Sequence, residues 1–82
     1  MFYTYIIYSD LKNRYYIGHT HDITNRLERH NAGATKSTKA GRPWRLVYSE
    51  SYETKTAASK REFSIKKMKS RIYIESLLDN QK

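Results

Sequence analysis

The chain has 82 residues, which predicts a single domain over residues 1–82, and it contains no cysteine, which excludes a disulfide framework and a thiolate metal site. Its 16 Lys and Arg against 8 Asp and Glu give a formal net charge of +8, so we expect a protein that attracts polyanions such as nucleic acid. Charges interrupt the apolar start of the chain too early for a signal peptide or a membrane span, which predicts a cytoplasmic protein that does not bind membranes.

The first predicted element is a β-hairpin over residues 2–20. The segment FYTYIIY is rich in β-branched and aromatic residues on both alternating faces, which is typical of a strand. A turn of about five residues follows, and the segment YYIG resumes strand character. Tyr5 and Tyr16 are therefore expected on paired strands. Gly18 stands out, because glycine weakens a strand and often marks the close approach of a ligand or another backbone.

The first predicted helix covers about residues 23–32. Asp22 is a suitable N-cap, and Gly33 is suitably placed to end the helix. The residues expected on its inner side are Ile23, Arg26, Leu27 and His30.

An exposed basic loop and a third strand are predicted next. The segment between Gly33 and Pro43 contains turn formers and no acidic residue. Trp44, Leu46 and Tyr48 alternate with other residues, which predicts a strand whose one face is half-buried.

Two helices are predicted in the rest of the chain. Thr54 can cap the first of them. The residues expected to share one of its faces are Ala58, Glu62, Ile65 and Met68 or Lys69. Residues 71–78 favour a short last helix that uses Ile72, Leu77 and Leu78. The predicted order is ββαβαα, an α+β fold with a small antiparallel or mixed three-stranded sheet flanked by helices.

Three polar residues lie where the helical pattern predicts burial. Glu62 there requires an arginine, a tyrosine hydroxyl or a metal ion as partner, or else it is a rim residue that pairs with Lys66. Arg26 and His30 suit phosphate binding and proton transfer, although an arginine stem on apolar surface and a histidine near a helix C-terminus are common structural features. His19 and His21 form only a weak zinc signal, because no third ligand is near in sequence.

With these residues in this order, the chain resembles the GIY-YIG nuclease family over roughly residues 3–75. It is most similar to small standalone bacterial members, which are related to the N-terminal domain of one component of the excinuclease ABC complex. The second triplet of the family name is literal at residues 16–18, whereas the first reads Tyr-Thr-Tyr and matches only at Tyr5. Some active members carry an asparagine downstream of the glutamate, and the candidate in this chain is Asn80.

The resemblance implies a metal-dependent endonuclease that hydrolyses phosphodiester bonds in nucleic acid, with DNA as the expected substrate. It implies that Glu62 binds Mg²⁺ or Mn²⁺, in keeping with the few carboxylates that Mg²⁺ needs. Of Tyr5 and Tyr16, one would activate water and the other would orient it. Arg26 would hold the scissile phosphate, and His30 would assist proton movement or contact the phosphate.

A basic track is expected to contact the nucleic acid. Its members recur at every third position and are more suited to following a backbone than to reading bases: Lys36, Lys39, Arg42 and Arg45. Two other classes of protein stay open, namely a nucleic-acid-binding module without cleavage and a basic structural or assembly protein.

Overall fold

The computed structural model describes residues 1–79, which fold around a three-stranded antiparallel sheet. The strands are β1 (Phe2–Ser9), β2 (Arg14–Thr20) and β3 (Trp44–Tyr52). Their order across the sheet is β2-β1-β3, so the most apolar strand is central. β1 and β2 form the predicted hairpin, in which Tyr5 lies opposite Gly18 and Ile7 opposite Tyr16.

Helices cover both faces of the sheet. They are α1 (Ile23–Asn31), α2 (Lys55–Met68) and α3 (Arg71–Asp79), and a short 3-10 turn at Lys39–Gly41 precedes β3. On one face, Leu27 of α1 packs against Tyr5 and Ile7. On the other face, α2 and α3 pack against Ile6, whose side chain points away from those of its two neighbours. The predicted α+β class and the order ββαβαα are therefore confirmed.

Side-chain caps define where the first two helices begin. Asp22 accepts a hydrogen bond from the backbone N–H of Asn25 at 3.0 Å, and Thr54 accepts one from Ala57 at 3.1 Å. Gly33 has a φ of 81°, a backbone conformation that glycine adopts without strain, and α1 ends before it. Both predicted caps are confirmed. No helix within residues 1–79 combines the length and the apolar character needed to cross a membrane.

The expectation that Trp44, Leu46 and Tyr48 share one face of β3 is wrong. The register between β1 and β3 shifts at a bulge, so that Ile6 pairs with Tyr48 whereas Ile7 pairs with Leu46. An extra residue in one strand reverses the side on which the following side chains emerge. Trp44 consequently packs beside Ile7 on the α1 face, while Tyr48 packs against Ile6 on the opposite face.

The expected inner faces of the last two helices need correction as well. Met68 is 53% exposed at the end of α2, and Ile72 of α3 is 81% exposed. Ile74 is the buried residue of α3 instead. It lies three and four residues before Leu77 and Leu78, and this spacing puts all three on one side of a helix.

Candidate active site

A buried hydrogen bond joins β1 to α1. The phenol oxygen of Tyr5, which is 2% exposed, lies 2.9 Å from Nε2 of His30, which is 1% exposed. The other ring nitrogen of His30 lies 2.7 Å from the hydroxyl of Thr38, and that hydroxyl donates to the carbonyl of Thr35. The network therefore assigns the His30 proton to Nδ1, which donates to Thr38, and leaves Nε2 to accept from Tyr5.

Burial keeps both members of this pair neutral. Burial raises the pKa of Tyr5 to about 12, although the nearby Arg26 guanidinium acts to lower it. Burial also lowers the pKa of His30 from its ordinary value, and the positive charges of Arg26 and Arg29 lower it further. At neutral pH the pair is a phenol that donates to an uncharged imidazole, and such a pair can pass a proton from one ring to the other.

Gly18 provides the space that the Tyr5 side chain occupies. A Cβ atom at this position would lie 2.5 Å from the phenol oxygen of Tyr5 and 2.6 Å from its Cζ. The close neighbour of this strand glycine is therefore a side chain of the paired strand, whereas the sequence indicated a ligand or another backbone.

Tyr16 lies on the same face of the sheet and is only half-buried. Its ring packs edge-on 5.2 Å from the His30 ring and 6.3 Å from that of Trp44, measured between centroids. The ammonium of Lys66 lies 5.8 Å from the centre of the Tyr16 ring. Because Lys66 belongs to α2, this contact connects the two faces of the sheet around its β2 edge.

Glu62 of α2 lies at the same edge with two charged or polar partners. Its Oε1 is 2.5 Å from Nδ1 of His19, and its Oε2 is 2.5 Å from Nζ of Lys66. Burial acts to raise the pKa of Glu62, but the hydrogen bonds from Lys66 and His19 outweigh this effect and hold the pKa below its ordinary value. Glu62 is therefore ionised at neutral pH. It makes the expected contact with Lys66 and also one with His19, which the sequence pattern had suggested only as a weak zinc ligand.

Arg26 completes this group of residues. It is half-buried on α1 and lines a shallow surface pocket together with His19 and His21. Both the Arg26 guanidinium and the Glu62 carboxylate are close enough to influence the pKa of Tyr5, the first lowering it and the second raising it. Side chains from β1, β2, α1 and α2 thus surround one region that contains a hydrogen-bonded phenol and imidazole, a carboxylate and a guanidinium.

The four residues of the predicted basic track do not stay together. Lys36 and Lys39 are exposed and form no salt bridge within residues 1–79. Arg42 donates from Nε to the carbonyl of Lys39 at 2.8 Å. Arg45 lies on the other face of the sheet, where it pairs with Asp10 at 3.2 Å.

Two further positions bear on the site. Thr38 holds the imidazole of His30, and no sequence pattern singled it out, because a threonine in a polar loop is ordinary. Asn80, the candidate for the downstream asparagine, lies outside the described residues. Within the described part of the chain, no three side chains of the His, Asp and Glu type come close enough to hold a metal ion among themselves.

Comparison with known proteins identifies the family. UPF0213 proteins of Staphylococcus aureus strains Mu3 and Mu50 are each 52% identical to this chain over 52 residues, which is 62% of this chain and 63% of each relative. The solution NMR structure of a UPF0213 protein from Bacillus halodurans superposes with a TM-score of 0.60 at 31% identity, covering 96% of this chain and 84% of that one. Residues 1–74 match the GIY-YIG catalytic domain, and the chain therefore belongs to the GIY-YIG nuclease family.

Proposed function

We propose that this protein is an endonuclease that hydrolyses phosphodiester bonds in nucleic acid, with DNA as its substrate and Mg²⁺ or Mn²⁺ as its cofactor. The observation that carries the proposal is the neutral Tyr5–His30 pair, which has an ionised carboxylate and a guanidinium within electrostatic reach. Hydrolysis of a phosphodiester needs a proton acceptor for the attacking water, which the pair can provide. It also needs positive charge next to the phosphate, which the guanidinium and a metal ion on the carboxylate can provide.

The surroundings of Glu62 fit a metal site that uses one protein carboxylate. Magnesium keeps several of its waters and is often bound through one or two carboxylates, so a dedicated cage of protein ligands is not required. Oε2 of Glu62 already faces a cation, the ammonium of Lys66, and the Lys66 side chain is half-exposed. Glu62 would hold the ion, which when bound polarises a phosphate oxygen and water.

The Tyr5–His30 pair offers a route for the proton of the attacking water. A phenol with a pKa of about 12 is not ionised at neutral pH, so Tyr5 alone does not act as a base. It can instead take a proton from water while it passes its own proton to Nε2 of His30, which is neutral and already accepts that hydrogen bond. Thr38 keeps the opposite nitrogen protonated, so the ring becomes an imidazolium without turning.

The other two residues complete the roles. Tyr16 is more exposed than Tyr5 and would orient the water beside the His30 ring. Arg26 would contact the scissile phosphate, because a guanidinium matches phosphate oxygens with paired N–H groups. Such a donor in a partly dry site stabilises the transition state by about 3 kcal/mol.

Replacing Glu62 with glutamine tests the proposal. Glutamine keeps the volume of the side chain but removes the negative charge, so plasmid nicking with Mg²⁺ or Mn²⁺ should fall by about 100-fold or more. Binding to DNA in EDTA, measured by gel shift, should be retained, because it does not require the ion. The matched control is Glu53→Gln, which removes an exposed carboxylate near the start of α2 and should leave nicking unchanged.

The outcomes separate the alternatives. Nicking that persists in Glu62→Gln contradicts the role of this carboxylate. If the wild-type protein binds nucleic acid but does not cleave DNA or RNA with either metal, the function is that of a non-catalytic binding module. The exposed side chains of Lys36 and Lys39 favour this alternative. Absence of any salt-sensitive binding supports a structural or assembly role instead.

A further inference from the structure

A pocket with a volume of about 280 Å³ opens beside Tyr16. Three parts of the chain contribute to it: the turn between β1 and β2, the strand β2, and the segment that precedes β3. The residues that give the pocket its shape and charge are Lys12, Arg14, Tyr16, Ser37, Ala40 and Trp44. The proposed chemistry uses only Tyr16 of these residues.

The size of the pocket suits a single ring system. Its volume lies just below the ~300 to 1,000 Å³ that small-molecule sites occupy. This space accommodates a nucleobase.

The wall and floor of the pocket are held in place by hydrogen bonds. The indole N–H of Trp44 donates to the carbonyl of Thr38 at 2.7 Å, and Trp44 is only 7% exposed. The hydroxyl of Ser9 donates to the carbonyl of Gly41 at 2.6 Å and accepts from the backbone N–H of Lys12 at 3.0 Å. The same serine thus links the floor to the turn that carries the pocket's cations.

The charge around the pocket is positive. Lys12 and Arg14 line it, no acidic residue does, and neither cation forms a salt bridge within residues 1–79. Both side chains are exposed and can reach a phosphate at the mouth of the pocket. The half-buried ring of Tyr16 and these exposed cations are the combination that binds a base by stacking and its backbone by charge.

We infer that this pocket accepts one unpaired nucleobase of the bound strand, next to the phosphodiester that the proposed function cleaves. The inference rests on that proposed function for the class of ligand. The position follows from Tyr16, whose ring lines the pocket and packs 5.2 Å from the ring of His30. A base within a duplex cannot enter such a pocket without leaving its stack, so the substrate that fits is single-stranded, or locally unpaired, near the cut.

Binding of two oligomers that differ only in their bases tests this inference. The first probe is a single-stranded thymidine oligomer, and the second is an abasic oligomer of the same length and charge. Trp44 is the single tryptophan of the chain, so its fluorescence reports on the pocket. In EDTA the thymidine oligomer should bind about tenfold more tightly, which is the size of one base-stacking contact, and it alone should change the Trp44 emission.

A variant that fills the pocket provides the second arm. Ala40→Leu puts a larger side chain into the pocket from an exposed position, and it should remove the preference for the thymidine oligomer. The matched control is Ala34→Leu, an exposed alanine of the same segment that does not line the pocket. Ser37→Leu is the replacement if thermal melting shows that Ala40→Leu does not fold.

Equal affinity of the wild-type protein for the two oligomers would overturn the inference, as would a preference that survives in the folded pocket-filling variant. Blunt duplex DNA should bind without changing the Trp44 emission. If the duplex changes the emission as much as the thymidine oligomer does, that result would also contradict the inference. Because all binding is measured in EDTA, failure of cleavage and failure of base binding are distinguished.

Discussion

At the scale of single residues, Gly18 controls the geometry of the candidate site through what it lacks. The Tyr5 phenol, which contacts His30, occupies the space where a side chain at position 18 would stand. A strand glycine is otherwise unfavourable by about 0.5–1 kcal/mol relative to alanine. Glycine at position 18 therefore lowers the local stability of the strand, but it allows the Tyr5 side chain to come close.

Gly18→Ala adds only one methyl group, but it should lower both the nicking activity and the stability of the protein. The new methyl group would meet the phenol oxygen at 2.5 Å, so Tyr5 must move away from Nε2 of His30. We expect nicking to fall by about 100-fold, the effect of an ångström of misplacement, and unfolding free energy to fall by about 1–3 kcal/mol from overpacking. Plasmid nicking and urea denaturation measure the two effects.

The double variant Tyr5→Phe with Gly18→Ala provides the control. Removal of the phenol oxygen takes away the contact at 2.5 Å but leaves the one with Cζ at 2.6 Å, so the two stability losses should be slightly less than additive, while nicking should not recover. Additive losses would show that the methyl group at position 18 destabilises the chain for another reason.

The partners of the polar residues were beyond what the sequence could predict. Helical spacing indicated that Glu62, Arg26 and His30 lie near an apolar face, and the structure places them there. The spacing could not indicate that Thr38 would contact His30 or that His19 would contact Glu62. These contacts join residues from different elements, so they depend on tertiary packing rather than on any local pattern.

At the scale of elements, a polar network fastens α2 to β3. Glu50 of β3 accepts hydrogen bonds from Nε and Nη2 of Arg61 at 2.9 and 3.2 Å, and also from Tyr48 and Tyr52. Arg61 donates to Tyr73 of α3 as well, at 3.1 Å. Because Glu62 follows Arg61 directly on α2, this network fixes the turn of helix that carries the candidate metal ligand.

Arg61→Met should destabilise the protein by about 1.5–3 kcal/mol, because it removes charged hydrogen bonds that are only about a fifth exposed. Burial acts to raise the pKa of Glu50, but hydrogen bonds from Arg61 and the tyrosines hold the pKa below 4.5. The stabilisation is therefore present above pH 4.5 and is lost as pH falls through the lowered pKa. The difference between variant and wild type, measured by urea denaturation, should shrink across that range.

The control for this prediction is Arg45→Met. Arg45 forms an ion pair with Asp10 in which both side chains are more than half exposed, so the change should lower the free energy of unfolding by no more than about 1 kcal/mol. Equal losses in the two variants would mean that the Glu50 network is no stronger than a surface ion pair.

Whether a segment forms a helix or a strand was predictable from this sequence where caps and periodicity agree. Which side chains of an element face the core was not predictable where a single residue changes the pattern. Asp22 and Thr54 determine the starts of α1 and α2 through local hydrogen bonds, which sequence reveals. The bulge in β3 depends on how the strand pairs with β1, and nothing in the alternation from Trp44 to Tyr48 indicates it. In α3, the run Ile72, Tyr73 and Ile74 allows two faces, and packing on the sheet selects the one with Ile74.

At the scale of the whole molecule, positive charge is present on both faces of the sheet. The segment 33–43 carries exposed Lys36 and Lys39 on the face of α1, since Thr38 between them contacts His30 of that helix. Helix α2, on the opposite face, carries exposed Lys60 and Lys67. If the net charge of +8 simply attracts polyanions, both pairs contribute alike, whereas a defined binding face uses only one of them.

Replacing Lys36 and Lys39 together by alanine should flatten the salt dependence of DNA binding by about two units in the log–log slope. Each phosphate contact releases counterions and contributes about 0.9 to that slope, so the loss of two contacts is resolved in a titration from low to moderate salt. The matched control is Lys60→Ala with Lys67→Ala, which lowers the formal charge by the same amount but should leave the slope within half a unit, about half of one contact. The comparison uses fluorescence anisotropy of one labelled duplex in EDTA, so that cleavage does not interfere. The same slope in both double variants would show that attraction follows net charge and that the segment 33–43 is not the binding face.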